Sequence, residues 1–318
     1  MFDYHSAGIK IRPYDFWLDA TRAVEFSFIS HGHTDHLRNH QKVLATPATL
    51  RFFALRGKQR QTIALPFGQT LEWNELQIEL FPAGHILGSA MIRIEHGGRS
   101  LLYTGDFKLR PSLTAEHIKI PQADILIMES TFGRPEYRIK SSWLQLVNEL
   151  KEFIDDTFRR GQTPVVLAYS LGKGQEAMKI LGDLGYPTRV HSSIWQMAEV
   201  YREFGAQFDR CALWHEVALP PGEVLLFPPH ICNSPVFRKV ARPRTVFLSG
   251  WANRASGFRF RADHMIALSD HADFDELQSL VKTVNPQQIY TTHGFDDFPH
   301  YLQELGFSAQ SLDAEGKI

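Results

Sequence analysis

The segment His31-Gly32-His33-Thr34-Asp35-His36 places four potential metal ligands in six residues. Imidazole and carboxylate groups suit Zn²⁺ and, to a lesser degree, Mn²⁺ or iron. His31 and His33 lie two residues apart and can reach one ion, whereas Asp35 and His36 are displaced along the turn and can reach a second. The apolar run EFSFIS at 25–30 comes just before, so the ligands are predicted to follow a strand.

Two later segments offer further ligands in the same kind of context. His85 follows the apolar run LQIELF, and Asp106 follows SLLY. Gly84 and Gly88 would let the backbone approach closely around His85. Asp106 has two carboxylate oxygens and could bridge two ions. Each residue alone could equally be a cap, a turn or a structural residue, but their joint occurrence after strands favours a metal centre.

Short apolar runs ending in polar or glycine-rich loops alternate with longer amphipathic stretches along the chain. The pattern predicts strands at 25–30, 76–82, 100–103, 124–128, 164–169, 223–227, 245–248, 264–268 and 288–291. It predicts helices at 142–159, 174–184 and 274–284. Strands mixed with helices indicate an α/β fold. The polar residues of interest follow strand ends, where the active sites of layered α/β folds collect.

Composition excludes several classes of protein. With 318 residues, 43% hydrophobic and 22% charged, the chain is neither wholly disordered nor fibrous. No apolar run approaches the roughly 18 residues that span a bilayer, and the start MFDYHSAGIKIRPYD lacks the apolar core of a secretion signal. The two cysteines provide no disulfide framework. We therefore expect a cytoplasmic protein without a membrane partner.

The net charge of −1 excludes overall basicity as a route to nucleic acid, but the charge is unevenly distributed. Residues 238–261 contain seven basic residues and no acidic residue, interleaved with aromatic residues. Cations beside aromatic rings could bind a polyanion and stack its bases. Equally, the aromatic residues could be core and the arginines a solvated face.

The strings HGHTDH, PAGHILGSA and YTGDF together resemble the metallo-β-lactamase superfamily. The resemblance implies an αββα sandwich that holds one or two metal ions. It also implies that Asp19, in FWLDA, supports the ligands from behind, although a simple turn aspartate is equally compatible with the sequence.

Three later strand ends resemble motifs A, B and C of the β-CASP nucleases: Glu129 in MESTFG, His271 in LSDHAD and His293 in TTHG. Positions 130 to 270, 141 residues, leave room for the domain that this group inserts between motifs A and B. We predict a metallo-β-lactamase domain formed by 1–135 and 262–318, with a β-CASP domain inserted at 136–261. ESTFGRPEYR, FLSGWANR and LSDHADFDEL are similar to the bacterial ligase-associated DNA exonucleases. A histidine at motif C is also found in RNA-processing members, so His293 does not argue for DNA.

The resemblance implies two transition-metal ions, Zn²⁺ first and Mn²⁺ as an alternative. One ion would be held by His31, His33, His85 and Asp106, and the other by Asp35, His36, Asp106 and His293. Two ions about 3.5–4 Å apart can activate one water for attack on phosphorus. The candidate catalytic residues are Asp35, Glu129 and His271, with His271 as the general acid that Glu129 orients. The candidate nucleic-acid contacts are Lys173, Arg254, Arg259 and Arg261.

The function implied is a two-metal phosphodiesterase, a DNA exonuclease in repair or processing. Its expected partners are single-stranded DNA and, by family resemblance, a DNA ligase and a helicase. An RNA-processing ribonuclease with the same site is the main alternative. A small-molecule hydrolase fits the long insert less well, and a binding module without catalysis fits the complete ligand set less well.

Overall fold

The computed structural model describes residues 1–56, 61–215, 219–252 and 261–312. They form two compact units, Met1–Pro135 with His271–Ile318 and, separately, Glu136–Asp270. Strand His264–Ile266, which was predicted to lie in the second part of the metallo-β-lactamase domain, pairs with strand Pro243–Leu248 and so lies in the second unit.

In chain order the strands are β1 (Phe2–His5), β2 (Gly8–Ile11), β3 (Phe16–Leu18), β4 (Phe26–Phe28), β5 (Lys42–Ala45), β6 (Gln61–Ala64), β7 (Thr70–Trp73), β8 (Leu76–Pro82), β9 (Ala90–His96), β10 (Arg99–Tyr103), β11 (Ile125–Glu129), β12 (Thr163–Leu167), β13 (Thr188–Val190), β14 (Cys211–Leu213), β15 (Val224–Phe227), β16 (Pro243–Leu248), β17 (His264–Ile266), β18 (Gln288–Thr292) and β19 (Ala309–Ser311). The α-helices are α1 (Pro47–Arg56), α2 (Trp143–Arg159), α3 (Lys173–Asp183), α4 (Ser192–Glu203), α5 (Phe274–Val284) and α6 (Phe298–Glu304).

The first unit contains two mixed sheets. One has the order β1-β2-β3-β4-β5-β6, antiparallel as far as β3 and parallel from there on. The other has the order β19-β18-β11-β10-β9-β8-β7, with β19 to β10 parallel and β10 to β7 antiparallel. The alternation in β8 shows how the second sheet forms, since Leu76, Ile78 and Leu80 are buried between more exposed neighbours.

The core of this unit lies between its two sheets. Phe16 and Phe28 from the first sheet share one buried cluster with Ile78, Ile92 and Ile127 from the second. Apolar side chains of α5 and α6 cover the other face of the second sheet. Phe53 of α1 packs with Val43 of β5 on the other face of the first sheet. The layers are therefore helix, sheet, sheet, helix, which confirms the predicted αββα sandwich.

The second unit is built on one parallel sheet with the order β14-β13-β15-β12-β16-β17. Apolar residues of α2, α3 and α4 pack against one face of it. Helix α2 begins at a capping box in which Ser142 and Gln145 satisfy each other's backbone N–H groups. No helix within the described part of the chain is long and apolar enough to cross a membrane.

Candidate metal centre

Sheet topology in the first unit brings the predicted ligands to one edge. β10, β11 and β18 are parallel neighbours, so the residues that follow them emerge at the same edge. These residues are Asp106, Glu129 at the end of its strand, and His293. Two antiparallel pairings separate β8 from β10, which gives the two strands the same direction and brings His85 to this edge as well.

Four of the predicted ligands converge closely. His33 Nδ1 lies 3.1 Å from His31 Nε2 and 3.1 Å from His85 Nε2. Asp106 Oδ2 lies 3.4 Å from His31 Nε2 and 3.9 Å from His85 Nε2. The four ligand atoms all lie within 4.8 Å of one another. We call these four residues the tight cluster.

These separations fit a divalent ion. Tetrahedral Zn²⁺ with bonds of about 2.0–2.1 Å places its ligand atoms about 3.3–3.4 Å apart. Hydrogen bonding alone does not account for the arrangement, because His33 Nδ1 carries either one lone pair or one hydrogen and faces two imidazole nitrogens. Three imidazole nitrogens and a carboxylate oxygen that point at one another form a suitable donor set for zinc.

Local electrostatics also favour a cation here. Burial lowers the pKa of His31 well below its usual value, and the neighbouring histidines lower it further, so His31 offers a neutral imidazole as a metal ligand requires. Burial raises the pKa of Asp106, the Glu129 carboxylate raises it further, and His36 opposes them. Burial would lower the pKa of His36, but the carboxylates of Asp19 and Asp106 outweigh it and raise that pKa to about 10.

The remaining predicted ligands surround Asp106 more loosely, and we call Asp35, His36 and His293, together with Asp106, the open cluster. His36 Nε2 lies 3.6 Å from Asp106 Oδ2 and 3.8 Å from Asp35 Oδ2. The rings of His36 and His293 are 5.8 Å apart between centroids. The side chain of Asp35 is 76% exposed. His293 is also exposed, and its backbone is left-handed with φ of 52°.

Glu129 and His271 form a separate pair beside the tight cluster. His271 Nδ1 lies 3.0 Å from Glu129 Oε1, and His271 Nε2 lies 4.0 Å from Asp106 Oδ2. Asp106, Glu129 and His271 are close enough to hold an ion themselves. However, both Glu129 oxygens already accept hydrogen bonds, from Phe107 N at 3.0 Å and from Thr131 Oγ1 at 2.5 Å. This arrangement is better suited to orienting His271 than to binding metal.

The start of α5 fixes the backbone next to His271. Asp273 caps the helix and accepts hydrogen bonds from the backbone of Asp275 and Glu276. Arg110, in the loop that follows Asp106, donates to Asp273 Oδ2 at 2.8 Å. The loops that carry Asp106 and His271 are therefore tied together.

Two glycines allow the His85 loop to pack as closely as predicted. Gly84 has φ of 76°, and a Cβ there would lie 2.4 Å from the carbonyl oxygen of Lys108. Gly88 has φ of 72°, and a Cβ there would lie 2.6 Å from Ala48 Cβ. Any side chain at either position would force the His85 loop away from its neighbours.

Asp19 lies behind the ligands, as the resemblance implies, and it is not a simple turn residue. It is buried and accepts a hydrogen bond from His36 Nδ1 at 2.9 Å. Sequence reasoning missed Ser30 and Tyr103, whose hydroxyls also contact Asp19. It missed Thr131, which contacts Glu129. The available signal was their position, since each hydroxyl lies within three residues of a predicted site residue.

The predicted nucleic-acid contacts differ in their exposure to solvent. Lys173 needs correction: it is 1% exposed and forms an ion pair with Glu176 at 2.7 Å, so burial removes it from the surface where phosphate would bind. Arg261 is exposed. Arg254 and Arg259 lie outside the described residues. Within the same basic segment, Arg244 donates to Asp156 at 2.7 Å and lies over the ring of Phe153, which makes it structural.

Several known proteins are similar to this chain. Residues 258–309 match the family described as "Zn-dependent metallo-hydrolase RNA specificity domain". A protein from Opitutus terrae named "Probable DNA ligase" is 36% identical over 98% of this chain, which corresponds to 31% of its own length. An "RNase J-like protein" from Methanocaldococcus jannaschii is 29% identical over 51% of this chain and 44% of its own length.

One further relative and one solved structure are also similar to this chain. A "Transcription termination factor FttA" from Pyrococcus horikoshii is 29% identical over 48% of this chain and 25% of its own length. The chain thus spans less than half the length of each of these three relatives. A crystal structure of an Enterococcus faecalis protein of unknown function superposes with a TM-score of 0.62 at 15% identity, over 89% of this chain and 78% of that one. This last likeness concerns the fold alone.

Proposed function

We propose that this chain, which resembles the β-CASP nuclease group of the metallo-β-lactamase superfamily, is a two-metal phosphodiesterase that acts on DNA. The observation that carries the proposal is the convergence of the tight cluster beside a histidine that a buried glutamate orients. The two features together match the needs of phosphodiester hydrolysis, namely a place for divalent cations and a positioned proton donor.

The tight cluster would hold one ion, and the open cluster would hold the other. When bound, such ions supply Lewis acidity that activates water and offsets charge on the phosphoryl group. The protein's part is to turn its imidazoles so that a ring nitrogen faces the ion. Burial keeps the imidazole of His31 neutral, and the hydrogen bond from Nδ1 to Asp19 turns the ring of His36 so that its Nε2 faces Asp106.

His271 is proposed to protonate the leaving oxygen of the substrate. Its Nδ1 donates to Glu129, so the imidazolium form carries its second proton on Nε2, the atom that faces Asp106. Burial would raise the pKa of Glu129, but His271 and the hydrogen bonds from Thr131 and the backbone of Phe107 together lower that pKa. Glu129 therefore stays ionised and stabilises the protonated ring that a general acid requires.

DNA is the proposed substrate because of the relative that matches almost the whole chain. That Opitutus terrae protein is named a probable DNA ligase, and this chain resembles about a third of it. We infer that this chain trims DNA ends as an exonuclease in repair or processing, on single-stranded DNA and together with a DNA ligase. The helicase partner implied by family resemblance remains a prediction.

RNA is the second candidate substrate, and a specific observation favours it. The family that matches residues 258–309 is described by RNA specificity, and one relative is named RNase J-like. In this case the same metal centre and the same His271 would act on a ribonucleotide strand. The 2′-hydroxyl is the chemical feature that distinguishes the two substrates.

The test is a cleavage assay on end-labelled single-stranded DNA and RNA of identical sequence, with Zn²⁺, Mn²⁺ or a chelator. We expect metal-dependent shortening of DNA and much slower loss of RNA. Asp106→Asn is the inactive control, and Tyr290→Phe, a change away from the ligands, is the active one. Faster cleavage of RNA would replace the proposal with the ribonuclease. Cleavage of neither strand by metal-loaded protein would overturn both.

A further inference from the structure

We propose that Tyr103 is a positioning residue for the metal centre, because its hydroxyl holds the Asp19 carboxylate that fixes the imidazoles of both His31 and His36. The inference rests on the proposed metal centre but not on the identity of the substrate. Tyr103 supplies no metal ligand. Its effect reaches the ligands through two short chains of hydrogen bonds.

Both chains of hydrogen bonds meet at the carboxylate of Asp19. Its Oδ1 accepts from the backbone N–H of Ser30 at 2.8 Å. Its Oδ2 lies 2.5 Å from Ser30 Oγ, 2.9 Å from His36 Nδ1 and 2.9 Å from the Tyr103 hydroxyl. An ionised carboxylate only accepts hydrogen bonds, so each of these partners must donate.

The positions of the donors decide the tautomers of two ligands. His36 must carry its hydrogen on Nδ1, which leaves Nε2 to face Asp106 and Asp35. Ser30 gives its single hydrogen to Asp19, so it must accept from His31 Nδ1 at 2.9 Å. The lone pair of His31 is then on Nε2, the atom in the tight cluster. One carboxylate thus presents a ligand nitrogen to each cluster.

Tyr103 is well placed to hold this carboxylate still. It is 1% exposed, and its ring packs in the core between the two sheets. Burial, together with the charge on Asp19, raises its pKa well above the usual value, so the hydroxyl keeps its proton and stays a donor. Phenylalanine would fill the same volume. With respect to the residues that the structure describes, the hydroxyl adds only the hydrogen bond to Asp19, a residue 84 positions away in the chain.

Removing the hydroxyl should therefore weaken metal binding without disturbing the core. Asp19 Oδ2 would lose one of its three donors and could turn away from His36 and Ser30. Changes to such partners behind metal ligands typically cost about 10–100-fold in affinity. The open cluster should suffer more, because His36 contacts Asp19 directly whereas His31 is linked through Ser30.

The experiment compares Tyr103→Phe with Tyr290→Phe. Tyr290 lies in the same sheet and packs against the same core, but its hydroxyl makes no hydrogen bond with any described residue. Zn²⁺ affinity is measured by competition with a chromogenic chelator, and the visible spectrum of the Co²⁺-loaded protein reports ligand geometry. Thermal unfolding of the metal-free variants checks the fold.

We expect Tyr103→Phe to bind the more weakly held ion about 10–100-fold less tightly and to shift the Co²⁺ spectrum, with Tyr290→Phe unchanged. If Tyr103→Phe does not fold, Ser30→Ala tests the hydrogen bonds that link Asp19 to His31. This variant should weaken metal binding at the tight cluster more than at the open cluster. Wild-type affinity and spectrum in folded Tyr103→Phe would overturn the inference alone. A wild-type protein that binds no metal would overturn the proposed function as well.

Discussion

The tight cluster and the open cluster share Asp106 but are built differently. The tight cluster is formed by side chains whose ligand atoms already lie at separations suited to zinc. The open cluster depends on an exposed carboxylate, Asp35, and on His293, an exposed residue with a left-handed backbone. The proposed first ion position is therefore preformed, whereas the proposed second position is adaptable.

This difference has a thermodynamic consequence. A preformed site loses little conformational freedom on binding, whereas the exposed Asp35 side chain must be ordered when it binds. The tight cluster should therefore bind its ion more strongly. A weaker, more open position beside it is also the better place for a phosphate to enter and leave.

Asp106→Asn should give the largest effect, because Asp106 belongs to both clusters. Both metal occupancies should fall, and turnover should fall by about 10⁴-fold or more, beyond the loss of a single general acid. Metal analysis beside a DNA cleavage assay checks this. Loss of only one ion would contradict the bridging role and separate the two clusters.

His271→Ala should lower turnover by about 10²–10⁴-fold while metal content stays near the wild-type level. The reason is that His271, whose Nδ1 lies 3.0 Å from Glu129 Oε1, is the proposed proton donor and is a member of neither cluster. The loss should shrink on a substrate with a nitrophenolate leaving group, which departs without a proton. If metal content falls too, His271 is a ligand and the general acid must be sought elsewhere.

His33→Ala and Asp35→Ala compare the clusters directly. His33 Nδ1 contacts two other ligands of the tight cluster, so its loss should weaken the strongly bound ion by more than about 100-fold. Asp35→Ala should weaken only the second ion, by about 10–100-fold. Zinc titration of the two variants measures both steps. Equal effects on both steps would show that the clusters are not distinct.

Arg261→Ala should have the smallest effect, since it lies on the surface and outside both clusters. Binding to a nucleic-acid strand should weaken, and the slope of log affinity against log salt should fall by about one unit for one lost phosphate contact. Hydrolysis of a small chromogenic phosphodiester should be unchanged. Equal loss on both substrates would assign Arg261 to the fold or the chemistry.

Much of the fold could be predicted because strong patterns coincide with real elements. The predicted strand 76–82 and helix 274–284 match β8 and α5 residue for residue. Strands β13 and β14 were missed. Each has only three residues, too few for a period to emerge, and the equally short β4 was found only because it lies within the longer run 25–30. The meander β1 to β3 was missed for the same reason, with its short strands of three or four residues.

The sequence predicted those site residues that lie in short local motifs. HGHTDH, His85 and Asp106 could be identified because each follows a strand, and the topology brings them together. The contact between Tyr103 and Asp19 could not be predicted, since the two residues are 84 positions apart in sequence and only the fold brings them together. Lys173 was predicted to contact phosphate because it lies between two glycines, as in a phosphate-binding loop, whereas the structure buries it with Glu176.

Zinc titration of metal-free wild-type protein tests the central claim most directly, because a two-part metal centre underlies every step of the account. We expect the protein to bind two equivalents of zinc per chain in two resolved steps, the first tighter than the second. His33→Ala should weaken the first step, and Asp35→Ala should weaken the second. A folded chain that takes up no zinc would contradict it.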